Sequence, residues 1–254
     1  MKQFPLKELF SVIAYPLLFL ALCWSVFLAD TYLHLNLYQL GVSPRTISGL
    51  KGILFAPLIH ADWNHILNNS LPVFILSSMI FYFYKPIAWP VILWTYVISG
   101  FWLWVGGRNN DVVVNYHFGA STLIYAFSTF LFFSGVFRKH KQLMVVSAMV
   151  VFLYGSITYG IFPLDRSVSW EGHLFGAVSG ILVAFSYRKE GPQEVQYNWP
   201  NPEEEPDLEG EYHRQLEYEK ELQRQLLENE HINPVNVVYH FKPKEETTEG
   251  DKKE

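Results

Sequence analysis

Ser121 and His173 are a hydroxyl and an imidazole set in stretches that contain no Asp, Glu, Lys or Arg. A serine is a weak nucleophile until a base within hydrogen-bond reach takes its proton. Three more polar residues share this setting: His65, Asn69 and Tyr125. His65 and Asn69 are four apart, so on a helix they share a face and can present two donors to one oxygen. Ser121 and Tyr125 have the same spacing, with the ring one turn from the hydroxyl. Taken singly, each has a plainer role: a serine bonded back to its own helix, a packed histidine, an asparagine joining two helices. No metal or other cofactor is expected. There is no His-Glu-x-x-His pattern, and His60 and His65 are five apart, a poor spacing for one helix face.

The elements that carry these residues are read from charge. The chain has 254 residues, half of them hydrophobic, and its formal charge of -5 comes largely from the last quarter. Six stretches are free of formal charge: Phe10–Ala29, Ile66–Tyr84, Ile87–Gly107, Val112–Phe137, Leu143–Leu164 and Gly172–Tyr187. A helix needs about 20 mostly apolar residues to span a bilayer. Six such runs in succession predict an all-α integral membrane protein, a six-helix bundle; the last run is short and needs help from its flanks. The first run is too long, and lacks a small-x-small site, to be a cleaved signal. The single cysteine, Cys23, excludes an intramolecular disulfide.

Lys and Arg set the expected orientation. One side receives Lys2, Lys7, Lys85, Arg138, Lys139, Lys141, Arg188 and Lys189; the other receives Arg45, Lys51, Arg108 and Arg166. The richer side is expected to be cytoplasmic, with both termini inside. The outer loops then carry Asp30, Asp62, Asp111, Asp165 and Glu171. The first of them, from Asp30 to about His60, is apolar yet broken by Gly and Pro, and reads as a structure half sunk in the outer interface. Residues 1–188 form the expected membrane domain. Residues 189–254 form a polar, acidic cytoplasmic tail, with a charged helix near 207–230. Nothing in the chain suggests a nucleic-acid partner.

This topology brings the polar residues together. The second, fourth and sixth spans start from the outer face and share a direction, so His65, Ser121 and His173 fall at one depth. Polar groups inside spans are costly and mark function by default. Gly172, Gly176 and Gly180 open the sixth span as a small-residue stripe that allows close helix approach. A tight contact between the fourth and sixth helices would put Ser121 Oγ beside His173.

The runs His65-Ile-Leu-Asn-Asn69, Gly119-Ala-Ser121-Thr-Leu-Ile-Tyr125 and Gly172-His173-Leu-Phe-Gly176-Ala-Val-Ser-Gly180 resemble the three signature motifs of rhomboid intramembrane serine proteases, in the same order. The resemblance covers about residues 8–188. It implies Ser121 as nucleophile, His173 as general base, and an oxyanion hole of His65, Asn69 and the Ser121 amide. It also implies that Tyr125 packs on the His173 ring, that Gly119 shapes the loop before the nucleophile, and that His60 lies near a water-filled entrance. Expected substrates are transmembrane proteins with helix-destabilising residues near the cut, met in the lipid bilayer of the cell (inner) membrane, with the site near its outer face. Two positions differ from the family pattern: Thr122 stands where Gly usually follows the serine, and no Trp adjoins Arg45. Thr122 is expected to bond back to the Phe118 carbonyl. The rival readings are a rhomboid-like protein that binds membrane clients without cutting them, and a small transporter.

Overall fold

The computed structural model describes residues 6–109, 115–164, 168–193 and 207–230. Asp111, Asp165, Arg166, Lys2 and the segment 200–206 lie outside the described residues. The chain divides into two compact units, Met1–Val195 and Gln196–Glu254.

The first unit is built from helices α1 (Leu6–Leu33), α2 (Trp63–Phe83), α3 (Ala88–Gly106), α4 (Ser121–Arg138), α5 (Lys141–Tyr154) and α6 (Trp170–Ser186). Among the described residues, four segments are long and apolar enough to cross a membrane: Val12–Leu33, Trp63–Phe83, Lys85–Gly106 and Ser121–Arg138. The fifth charge-free run divides, with α5 giving way to a 3-10 stretch, Gly155–Ile161. Helix α6 has 17 residues, and the described strand pairing is a single antiparallel bridge between Val42 and His117.

Helix α4 is the central element, packed against α2, α3, α5 and α6. Its Leu123, Ala126, Phe130 and Leu131 are buried, and Phe130 meets Tyr84 edge to face at 5.0 Å. The glycine stripe sets the closest packing. A methyl group on Gly176 would collide with the Thr122 carbonyl, and one on Gly180 with the Ala126 carbonyl. Here the backbones of α4 and α6 touch, as small residues permit. At the far end of α4, the Arg138 guanidinium donates to the carbonyls of Tyr187, Arg188, Glu190 and Pro192 and to Ser134 Oγ. It thereby satisfies acceptors beyond the last turn of α6 that have no helical partner.

The segment between α1 and α2 is a chain of short helical turns: Leu37–Leu40, Ser48–Lys51, Gly52–Phe55 and Ala56–Leu58. It is stapled to α3. Tyr96 OH donates to the Leu54 carbonyl, Trp104 Nε1 to Thr46 at 2.8 Å, and Arg45 Nη1 to Gly107 at 2.9 Å. Ile47 (89% exposed) and Leu54 (62%) project outward, an apolar surface that fits an interface better than bulk water.

The second unit contains α7 (Leu208–Glu230), a charged helix started by Asp207, whose carboxylate accepts from Gly210 N at 2.8 Å. Tyr212, Leu222 and Leu226 on it are exposed.

Candidate active site

Ser121 is the first residue of α4. The turn before it is set by Gly119, whose φ of +112° favours glycine and whose N–H donates to the Ala56 carbonyl at 2.8 Å. The sequence places Ser121 near the start of the fourth span, and the helix begins at Ser121 itself, so the hydroxyl sits at a helix N-terminus. Ser121 Oγ lies 2.9 Å from His173 Nε2. His173 Nδ1 lies 2.9 Å from the Gly160 carbonyl oxygen. A carbonyl can only accept, so the neutral ring carries its proton on Nδ1, and Nε2 offers its lone pair to the serine hydroxyl. The Tyr125 ring stacks on the imidazole at 4.2 Å and 13°.

His65 and Asn69 come to the same place from α2. Asp62 caps that helix by accepting from His65 N at 2.9 Å. His65 Nδ1 accepts from Ala61 N at 3.3 Å, which leaves Nε2 as the N–H donor. A methyl group on Gly119 would lie 2.6 Å from His65 Nε2 and 3.8 Å from Asn69 Nδ2. Both donors therefore converge on the backbone two residues before Ser121. Asn69 Nδ2 is buried without a hydrogen-bond partner among the described residues. An unpaired buried donor is costly, and an oxygen arriving there would satisfy it.

His60 precedes α2, so its five-residue spacing from His65 does not separate them: the rings meet edge to face at 5.0 Å. His60 is 4% exposed, and neither ring nitrogen makes a hydrogen bond of good geometry. Burial, reinforced by neighbouring His65 and partly offset by the Leu58 backbone, holds its pKa down at about 4. Among the described residues no group of three His, Cys, Asp or Glu side chains is arranged to hold a metal.

Thr122 departs from expectation. Phe118 precedes the helix, and no bond forms between the two. The hydroxyl instead faces α6, where a methyl group on Gly172 would lie 2.9 Å from Oγ1. Beside it is a cavity of about 20 Å³, bordered by Ser99, His117, Gly119 and Ser169. That is room for one water.

Sequence reasoning missed three groups. The first is the Gly160 carbonyl. The second is Glu171, expected in an outer loop but found in the first turn of α6, 3% exposed and paired with Arg108. The third is His117, whose Nε2–H donates to the Arg108 carbonyl at 2.9 Å while Nδ1 accepts from Ser169 Oγ at 2.7 Å. Ser169 in turn caps α6 through Gly172 N at 3.4 Å. Burial pushes the His117 pKa down, with smaller opposing effects from the Arg108 backbone and Glu171. This network ties the segment before Ser121 to the helix start that carries His173. An acidic residue two positions before a histidine in an apolar run was its only trace in the sequence.

Helices long and apolar enough to cross a bilayer, with a polar cluster enclosed among them, define an integral, multi-pass membrane protein. The Rhomboid domain family model matches residues 48–190, and the chain belongs to the rhomboid family. It is 35% identical over 174 residues to uncharacterised proteins of Mycobacterium bovis and Mycobacterium tuberculosis, covering 66% of this chain and 72% of each relative. An uncharacterised protein of Mycobacterium leprae is 33% identical over 174 residues, 66% of this chain and 68% of its own.

Proposed function

We propose that the chain is an intramembrane serine endopeptidase that cuts transmembrane segments of other membrane proteins. The observation that carries this reading is the 2.9 Å contact between Ser121 Oγ and the lone-pair nitrogen of His173. In the reaction, Ser121 Oγ bonds to a peptide carbonyl carbon while His173 Nε2 takes the hydroxyl proton. His65 Nε2–H and Asn69 Nδ2–H stabilise the oxyanion. As the C–N bond breaks, His173 returns the proton to the leaving amine. Water then attacks the acyl-enzyme with His173 again as base, releasing a carboxylate and restoring Ser121. No carboxylate contacts the imidazole among the described residues, so the pair acts as a dyad, with Tyr125 orienting the ring.

Six spans with both termini cytoplasmic complete the proposal. The Lys and Arg distribution supports this arrangement, with residues 189–254 as a cytoplasmic tail and the site near the outer face of the cell (inner) membrane. Helix α5 and its 3-10 continuation hold 14 and 7 residues. At 1.5 and 2.0 Å per residue their contour is about 35 Å, enough for a hydrocarbon core of about 30 Å. Substrates with helix-destabilising residues suit a site that must reach an unwound backbone.

The second reading, a rhomboid-like protein that holds clients without cutting them, draws on Thr122, whose side chain fills space against Gly172. A fluorophosphonate probe on the purified protein in detergent separates the two. Labelling that disappears in Ser121→Ala and His173→Ala, together with loss of cleavage of a transmembrane substrate, supports the enzyme. A folded protein that neither labels nor cleaves belongs to the second reading.

A further inference from the structure

We infer that the Gly160 carbonyl is the positioning group for His173, fixing its tautomer in the way a carboxylate does in a catalytic triad, and that the run Gly160-Ile-Phe-Pro163 exists to leave that carbonyl free. The inference rests on the enzyme reading for its catalytic consequence, but its structural content stands on geometry.

In a 3-10 stretch each carbonyl accepts from the N–H three residues on. For Gly160 that residue is Pro163, which has no N–H. The next N–H, that of Leu164, turns to the Phe162 carbonyl at 2.8 Å, and the N–H of Phe162 goes to Tyr159 at 3.2 Å. The local backbone thus offers Gly160 no donor at its 3-10 or α position. A carbonyl left unpaired here would carry a desolvation cost. His173 Nδ1 meets it at 2.9 Å.

The missing side chain matters equally. A methyl group on Gly160 would collide with Tyr125 OH and lie 3.0 Å from His173 Nδ1. Only glycine lets this backbone approach the imidazole edge while Tyr125 stacks on its face. Besides its contact with Ser121, the ring is held by the stack and by the Gly160 hydrogen bond, and that bond decides which nitrogen faces Ser121. With the proton on Nε2 instead, the ring would have no lone pair for the serine proton, and Nδ1 would face a carbonyl oxygen without a hydrogen between them.

The test uses the full chain in detergent, with ring-15N histidine and the His173 signals assigned by comparison with His173→Gln. At pH 8 the wild type should show Nδ1 protonated and Nε2 bare. Gly160→Ala should mix the tautomers and lower kcat about 100-fold, with KM within about twofold, because a misplaced base loses most of its contribution. Pro163→Ala restores a competing backbone N–H. It should move the tautomer in the same direction with a smaller loss, about 10-fold in kcat. If Gly160→Ala does not fold, Pro163→Ala decides. A wild-type ring protonated on Nε2, or a variant that keeps the tautomer and kcat of the wild type, overturns the inference. Should wild-type Ser121 fail to label with fluorophosphonate, the enzyme reading falls separately, and the 15N tautomer still decides the hydrogen bond.

Discussion

Gly176 of α6 lies against the carbonyl of Thr122 in α4, so close that a methyl group added there would strike the backbone. Thr122 directly follows Ser121, and Gly176 lies about one turn beyond His173. The two helices that carry Ser121 and His173 are therefore held by backbone contact, which no side-chain rearrangement can relieve.

Gly176→Ala should accordingly cost about 1–3 kcal/mol through overpacking. It should also slow fluorophosphonate labelling of Ser121, because α6 must retreat. Unfolding in detergent and the labelling rate measure the two effects. A variant as stable and as reactive as the wild type would show that the helices have slack at this point.

Asn69→Ala removes a buried donor that has no hydrogen-bond partner among the described residues and that holds the oxyanion in the proposed reaction. One such donor is typically worth about 100- to 1000-fold in kcat. His65 remains, so the expected loss is near 100-fold, with KM little changed and stability unchanged or slightly raised. Steady-state cleavage of a transmembrane substrate reads this out. An unaltered kcat would reduce Asn69 to a helix-packing residue.

Stability should fall in mild acid. The His60 pKa is about 4 in the folded protein against an ordinary 6.5, and burial lowers that of His117 as well. Between those pH values the unfolded chain binds protons that the folded chain refuses, so stability is full above about 6.5 and is lost as pH falls toward 4. For His60 alone the loss could reach about 3 kcal/mol. Melting temperatures at pH 7.5, 6 and 5 should drop progressively, and less steeply in His60→Gln. Parallel profiles for the two proteins would assign the acid sensitivity elsewhere.

Thr122→Gly tests the departure from the family pattern. The side chain borders the small cavity and faces Gly172, away from the Ser121–His173 bond. Its removal should widen the space beside the site and shift preference among residues at the cut more than the rate. Labelling in Thr122→Gly but not in the wild type would mean that the native site is blocked.

Charge-free runs separated by short charged clusters determined from the sequence that this is a helical membrane protein, because a bilayer leaves a backbone few ways to satisfy its hydrogen bonds. Side-chain type and spacing likewise singled out Ser121, His173, His65, Asn69 and Tyr125, since four-residue spacing fixes a shared helix face before any packing is known. The tertiary structure decided what depends on segments far apart in sequence. It decided that the fourth helix starts at Ser121 itself, and that the fifth run loosens into a 3-10 stretch at Gly155. It also decided that Glu171 is buried against Arg108 and that a backbone carbonyl, not a side chain, meets His173 Nδ1. A carbonyl is the same at every position of a chain. Which one is left free, and what reaches it, is set by the donor it lacks locally and by the helix that packs beside it.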